Sequence, residues 1–295
     1  MAKTVTAQEV YDLHDEVMDD LIDVTNTTIW HEWAKLPRNE LNHRQRTIVG
    51  LLSDINDFPA CELGTLLFRC QYNDPCRSVL CPHCRQTAQN AMSRRLLELF
   101  DTTPRSNLRF LTLLCDLSYD PRRELPAKRE KLKRKLDTTL RGLPAKPRVY
   151  GAYEIDVKHP SYARSDRSRE VLGELGMSFV GQKQNSYLLH LHAVVDLNGV
   201  SNDTLKKRLK DRFEGRYRVR CTNLWSSRTV QQNLYVLGQY MTKTRLQYSD
   251  NLYGSSASGK ARYMDFYPDH VIRELAHTIK LMYGVNHYAK VSFNV

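Results

Sequence analysis

The stretch YLLHLHAVVDL (187–197) decides the fold, because apolar residues alternate through it with a second set that includes two histidines. Side chains of a strand point to opposite faces in turn, so the pattern predicts a strand with one continuous apolar face. That face is expected in the core and consists of Tyr187, Leu189, Leu191, Ala193, Val195 and Leu197. His190 and His192 share the other face, within reach of a single cation.

A second stretch, RVYGAYEIDV (148–157), alternates in the same way and places Glu154 and Asp156 on the face opposite its apolar residues. If the two strands pair, Glu154 meets both histidines. Two imidazoles and one carboxylate leave coordination positions open, which favours a catalytic divalent ion such as Mn²⁺ or Mg²⁺. The competing interpretation is a pair of hydrogen-bonded histidines on a partly wet sheet face.

Outward from these two strands, the sequence predicts an α+β fold. Further strands are expected over 109–117 and 216–221, and helices over 124–142, 201–213 and 229–245. The order strand, helix, strand, strand, helix, strand is the split βαβ arrangement of an antiparallel, ferredoxin-like sheet. Residues 158–186 exceed a hairpin connection and predict an insertion, with a short strand of its own at MSFVGQ (177–182).

The cysteines are concentrated before this predicted sheet. Cys70, Cys76, Cys81 and Cys84 give the spacing C-x5-C-x4-C-x2-C, which ends in the tight pair CPHC. Four thiolates at such spacing predict a closed, tetrahedral Zn²⁺ site with a structural role. Cys61 or His83 are the alternatives to Cys70, whose spacing is the loosest. The two later cysteines, Cys115 and Cys221, fall in predicted strands and are expected in the core.

Charge and hydropathy limit the class of protein. The net charge is +11 and the pI is about 9.3, with acidic residues collected near the N-terminus and basic residues in the middle. This asymmetry favours a nucleic-acid partner, and the alternative is a solvated surface of mixed charge. The N-terminus lacks the pattern of a signal peptide, and no run of about 18 apolar residues occurs, so a cytoplasmic protein without a membrane partner is expected.

Two basic stretches are candidates for contact with a phosphate backbone. The alternative for each is a charged, solvated helix face. The predicted DNA-contacting residues are Lys128, Arg129, Lys131, Lys133 and Arg134 in the first stretch, and Lys206, Lys207 and Arg208 in the second.

Tyr240 and Lys243, in GQYMTK, are three residues apart and share one face of a helix. A phenol with a pKa near 10 is a poor nucleophile, so an ammonium and a metal-polarised phosphate are the neighbours that would activate it. The alternative is a buried tyrosine beside a lysine that extends to solvent.

The ordered series FLTLL, GAYEID, LLHLHAVVDL and YVLGQYMTK resembles the rolling-circle plasmid replication initiators of the HUH endonuclease superfamily. The resemblance covers about residues 76–245, including CRSVLCPHC. It implies that Tyr240 attacks a DNA phosphate, giving a 5′-phosphotyrosine and a free 3′-hydroxyl that primes synthesis. By position, His190, His192 and Glu154 match the metal ligands, and Lys243 matches the basic residue after the nucleophile. Implied partners are single-stranded or hairpin origin DNA, a host helicase and the replication machinery.

The sequence departs from this family at two positions. Several initiators carry a glutamate one helical turn before the tyrosine, and Val236 stands there. Relatives with paired tyrosines space them by four, whereas Tyr235 precedes Tyr240 by five residues, about 140° round a helix, and is expected to pack. Transposases and relaxases share the chemistry, although relaxases often place the tyrosine before the histidines. A non-catalytic, zinc-stabilised DNA-binding protein is the alternative of another class.

The expected organisation has three parts. Residues 1–105 form a helical N-terminal region, opened by an amphipathic helix over 7–24 and carrying the zinc knuckle at about 61–84. Residues 106–250 form the HUH nicking domain. Residues 251–295 follow as a C-terminal tail whose tyrosines suit either stacking on unpaired DNA bases or packing against the domain.

Overall fold

The computed structural model describes residues 38–54, 58–71, 74–181, 184–242, 247–249, 263–283 and 290–294. The helix predicted over 7–24 and the predicted site residue Lys243 lie outside the described residues. Within the described part, eight α-helices accompany a five-stranded antiparallel sheet and a two-stranded ribbon. This α+β architecture confirms the predicted fold class at that level.

The strands and their order define the frame of the molecule. They are β1 (Leu108–Leu114), β2 (Arg148–Lys158), β3 (Ser186–Asp196), β4 (Val219–Asn223), β5 (Gln247–Ser249), β6 (Tyr263–Phe266) and β7 (Lys290–Phe293). The sheet runs in the order β4-β1-β3-β2-β7, with every neighbouring pair antiparallel, while β5 and β6 pair separately. The histidine strand β3 is therefore central, with β1 and β2 on either side of it.

The helices pack on both faces of this sheet. They are α1 (Arg38–Ser53), α2 (Phe58–Phe68), α3 (Pro82–Phe100), α4 (Pro121–Arg141), α5 (Asp166–Glu174), α6 (Asn202–Arg212), α7 (Val230–Tyr240) and α8 (Asp269–Tyr283). Capping residues account for where several of these helices begin. Asp120 caps α4 ahead of a proline, Ser201 caps α6, and Thr229 forms a capping box with Gln232 at the start of α7. None of the described helices is long and apolar enough to cross a lipid bilayer.

Two local predictions were wrong. The insertion has no strand at 177–181; it contains α5, and Met177 donates its backbone N–H to the carbonyl of Leu172 across Gly176, which has a φ of +100°. That closure is a glycine-based helix C-terminus, so it diverts residues that the local pattern assigned to a strand. The helix predicted over 229–245 ends at Tyr240, where Met241 takes the C-cap position.

The two faces of the sheet have different coverings. On the face that carries the predicted apolar set, Leu191 and its neighbours pack against α4, α6 and α8, and every predicted apolar residue of β3 is buried. On the other face, which we call the site face, Phe110 and Val194 pack beneath α3 and α7. Leu114 and Leu188, farther along the same face, pack beneath α5. The histidines lie between these two coverings.

The described residues of the predicted C-terminal tail (251–295) pack against α4 and β2. Arg122 of α4 makes two hydrogen bonds of 2.7 Å to Glu274 of α8. Val157 of β2 donates its backbone N–H to the hydroxyl of the buried Tyr267, and β7 extends the sheet beside β2. At Tyr267, packing rather than exposure to a ligand accounts for the aromatic residue.

Gly151 permits a close approach of β2 to β3 beside His192. A Cβ at this position would lie 2.0 Å from the carbonyl oxygen of His192 and 2.6 Å from the Cα of Ala193. We expect Gly151→Ala to lower the free energy of unfolding by about 1–3 kcal/mol, because the strands must separate. Urea unfolding measures this, with Gly173→Ala as the matched control, since nothing lies within 4 Å of a Cβ there. Equal midpoints for the two variants would contradict the close approach.

Candidate metal centre

Three predicted metal ligands converge at the centre of the site face. Glu154 lies directly opposite His190 in the pairing of β2 with β3. A carboxylate oxygen of Glu154, Oε2, is 3.6 Å from Nε2 of His190 and 3.5 Å from Nε2 of His192. The three side chains are 2–8% exposed, and their ligand atoms all lie within 4.8 Å of one another. This donor set suits a divalent cation and leaves coordination positions for other oxygen ligands.

Neighbours on β1 fix the ring of His192. Thr112 lies opposite His192 in the sheet, and its hydroxyl is 3.0 Å from Nδ1 of the imidazole. The ring of Phe110 stacks on the same imidazole, with centroids 5.6 Å apart and planes 13° apart. If Nδ1 donates to the threonine, Nε2 is left as the lone-pair donor that faces Glu154. Thr112 was not predicted as part of the site, because the alternation of residues in β1 does not reveal which strands lie beside it.

A second carboxylate and a lysine lie beside the three ligands. Asp156 Oδ2 is 3.9 Å from Nε2 of His190 and 3.2 Å from the ammonium of Lys158, whose side chain is 3% exposed. With both carboxylates ionised, Glu154, Asp156 and Lys158 carry one net negative charge in a mostly buried place. That balance favours a cation, because little solvent is present to screen the carboxylates.

Tyr240 adjoins this cluster from the end of α7. Its ring centroid is 4.9 Å from that of His192 and 5.8 Å from that of Phe110, with edge-to-face geometry in both contacts. The residue is half-buried. The structure therefore places the ring of the predicted nucleophile against His192, one of the three predicted metal ligands. At Tyr235, on the same helix, burial raises the pKa of the phenol and so disfavours the phenolate.

The four predicted cysteines form a second candidate metal site. Sγ of Cys84 is 3.5 Å from Sγ of Cys70 and 3.6 Å from Sγ of Cys76, and Cys70 and Cys81 are 3.6 Å apart. His83 instead contacts Asn42, with Nε2 and Oδ1 3.0 Å apart. Cys61 lines a groove between α2 and α8. Of the alternatives that the sequence left open, Cys70 is thus the residue in the cluster.

Hydrogen bonds shape the protonation of this cluster. Contact with Cys76, and then with Cys81, lowers the pKa of the Cys84 thiol, and the backbone N–H of Arg77 also points at its sulfur. The contact with Cys81 raises the pKa of Cys76. A cation would favour thiolate at every ligand, because it offsets the repulsion among them.

The two remaining described cysteines, Cys115 and Cys221, have thiols that favour the protonated form. Burial raises the pKa of Cys115 to about 12 and that of Cys221 to about 11. Both thiols therefore stay protonated near neutral pH; Cys221 is a core residue as predicted, whereas Cys115 is half-buried and packs against the core.

The predicted DNA-contacting residues lie on the other side of the sheet from the ligand cluster. They belong to α4 and α6, which pack on the face of the sheet opposite the site face. Lys128 donates to the carbonyl of Leu117 and to Ser118 and Glu124, while Arg129 donates to the carbonyl of Met282. Lys206 is half-buried, and the exposed members are Lys131, Lys133, Arg134, Lys207 and Arg208.

Two other basic residues lie on the site face itself. Arg220 of β4 is opposite Thr112, and Lys290 of β7 is opposite Ala152, so both belong to the row of the sheet that contains His192. Neighbouring strands are about 4.8 Å apart, which puts each Cα roughly 10 Å from that of His192. Arg220 belongs to the strand predicted over 216–221. Its position next to the cluster depends on strand order, which a single sequence does not reveal.

Comparison with known proteins adds no relative to this picture. No protein-family model matches the chain, and no curated protein or solved structure is detectably similar to it. The resemblance to HUH endonucleases therefore rests on the sequence motifs alone.

Proposed function

We propose that this protein is a metal-dependent endonuclease of the HUH type, which cuts one strand of DNA with Tyr240 and initiates rolling-circle plasmid replication. The observation that carries the proposal is the convergence of Glu154, His190 and His192, with the ring of Tyr240 4.9 Å from that of His192. Further support comes from topology, because β3 lies between β1 and β2 and runs antiparallel to both, as in a split βαβ unit.

In the proposed reaction, the phenol oxygen of Tyr240 attacks a phosphodiester phosphorus of single-stranded or hairpin origin DNA. The phenol loses its proton, an O–P bond forms to tyrosine, and the bond to the 3′-oxygen breaks. That oxygen takes up a proton and becomes a free 3′-hydroxyl. Glu154, His190 and His192 would hold Mn²⁺ or Mg²⁺, which when bound polarises a phosphate oxygen. Thr112 orients the imidazole of His192 through its Nδ1.

The cysteine cluster has a separate role in the proposal. Four sulfur ligands fill a tetrahedral shell, so Cys70, Cys76, Cys81 and Cys84 would bind Zn²⁺ as a structural ion with no open position. The free 3′-hydroxyl would prime leading-strand synthesis, with unwinding by a host helicase. Transposition uses the same cleavage step; the DNA that flanks the coding region distinguishes the two roles.

The decisive experiment traps the covalent product. We expect the wild-type chain, mixed with Mn²⁺ and a library of single-stranded oligonucleotides labelled at the 3′ end, to give a labelled protein band on denaturing gels. The 3′ label stays with the protein, because the tyrosine holds the 5′-phosphate of the downstream fragment. Tyr240→Phe is expected to lower the yield by at least about 10³-fold, since the nucleophile is lost.

Tyr235→Phe is the matched control, a tyrosine on the same helix whose buried phenol is disfavoured as a phenolate. It should form the adduct at the wild-type rate. Persistence of the adduct in Tyr240→Phe would identify another nucleophile. Failure of the wild type across sequences and divalent metals would favour the non-catalytic DNA-binding alternative.

A further inference from the structure

Polar side chains join α3 to α7 directly beside Tyr240. The hydroxyl of Ser93 donates to the carbonyl of Tyr235 over 2.8 Å. The side-chain amide of Gln239 donates to the Ser93 hydroxyl over 2.9 Å and to Oδ1 of Asn90 over 3.1 Å. Gln89 in turn donates to the carbonyl of Gln239 over 3.2 Å. We call this set the α3–α7 polar contact.

The contact is buried at a point where the two helices approach closely. Ser93 is 1% exposed and Gln239 is 4% exposed. A Cβ on Gly238 would lie 2.4–2.5 Å from the backbone and hydroxyl of Ser93, so only glycine fits between the helices there. Apolar residues from both helices surround it, among them Met92 and Leu237. Such a setting makes an unsatisfied amide costly, and both N–H groups of the Gln239 amide have acceptors.

We propose that the α3–α7 polar contact positions Tyr240 for attack, an inference that rests on the proposed function of the site. Tyr240 is the last residue of α7, and terminal turns of helices fray unless their groups have partners. Gln239 is the residue immediately before it and is held at both its side chain and its carbonyl. Apolar packing alone tolerates small rotations of a helix, whereas these hydrogen bonds specify one rotation, and therefore one placement of the phenol.

The size of the effect follows from the geometry of in-line attack. A displacement of the nucleophile by about 1 Å is enough to cost about 10²-fold in rate. The metal ligands lie on β2 and β3 rather than on α7. Loss of the contact should therefore slow the chemical step while leaving Mn²⁺ binding and DNA binding unchanged. Asn90, Ser93 and Gln239 are thus positioning residues, which act through Tyr240.

The test compares single-turnover adduct formation with the Kd values for Mn²⁺ and for an oligonucleotide that the wild type cleaves. Gln239→Met and Asn90→Ala are expected to slow the reaction by about 10–100-fold, with both Kd values within about twofold of wild type. Asn90→Asp keeps the acceptor oxygen and should retain the wild-type rate. Gln231→Met is the matched control, because it makes the same substitution on α7 but removes an exposed hydrogen bond of 3.4 Å to the carbonyl of Asp101, at the end of α7 away from Tyr240.

A second measurement does not depend on activity. In protein labelled with 3-fluorotyrosine, the ¹⁹F resonance of Tyr240, assigned with Tyr240→Phe, is expected to be displaced by the rings of His192 and Phe110. In Gln239→Met it should move towards the position of a solvent-exposed tyrosine. If this shift occurs but the wild type forms no adduct, the positioning stands and the proposed reaction fails. If the variants keep both the wild-type rate and the wild-type resonance, the positioning role is overturned.

Discussion

His192→Ala is expected to abolish Mn²⁺-dependent cleavage, with a fall of about 10³-fold or more in the single-turnover rate. Removing one group that stabilises transition-state charge costs about 10²–10³-fold in other enzymes, and here a metal ligand is removed as well. Nε2 of His192 is 3.5 Å from Glu154, and its ring contacts those of Phe110 and Tyr240. This one substitution therefore removes a metal ligand and also the ring against which Tyr240 packs.

Binding and cleavage should be measured on the same preparations. Calorimetric titration with Mn²⁺ is expected to show loss of the site in His192→Ala, while circular dichroism shows a folded chain. His159→Ala is a suitable control, because that imidazole follows the end of β2, accepts a hydrogen bond from the backbone N–H of Ser161 and is not one of the three ligands. Retention of both Mn²⁺ affinity and cleavage in His192→Ala would refute the assignment of this histidine.

The ligand cluster was predictable because it depends on local alternation. A period of two puts His190 and His192 on one face and Glu154 on the corresponding face of β2, so only the pairing of two strands had to be assumed. Spacing predicted the cysteine cluster but left Cys61 and His83 open as alternatives to Cys70, and the structure places Cys70 in the cluster. For the histidines, residue chemistry also limits the possible pairings of the strands, since few other arrangements would bury two imidazoles beside a carboxylate.

Contacts that depend on distant parts of the chain were not predictable. Ser93 and Gln239 are 146 residues apart, and neither belongs to a motif. The four residues of β7 are too few to show a reliable alternation, and their place at the sheet edge comes from pairing with β2. The basic residues of α4 suggested either DNA contact or a solvated helix face, but not that the helix lies on the face of the sheet opposite the ligand cluster. Sheet topology, rather than residue type, decides these points.

Loss of the cysteine cluster is expected to produce the largest change in stability. We predict that wild-type protein contains bound Zn²⁺ and that Cys84→Ser does not, with a fall in Tm of about 10 °C or more. Structural Zn²⁺ contributes on the order of 10 kcal/mol in small domains, and a fraction of that is enough in a chain of this size. Zinc released from purified protein, together with thermal unfolding with and without a chelator, measures both quantities.

The expected loss of stability follows from the position of two of the cysteines at the start of α3. Cys81 is its N-cap residue and Cys84 lies in its first turn, while farther along the same helix Met92, Leu96 and Phe100 are fully buried beneath the sheet. Cys61→Ser is the matched control, because Cys61 lies outside the cluster, and it should keep both the zinc and the wild-type Tm. A zinc-free wild type, or a Cys84→Ser chain as stable as wild type, would argue against a structural ion. Because the α3–α7 polar contact starts from the same helix, any Cys84→Ser protein that stays folded should still bind Mn²⁺ at Glu154 and the two histidines, yet form the tyrosine adduct slowly.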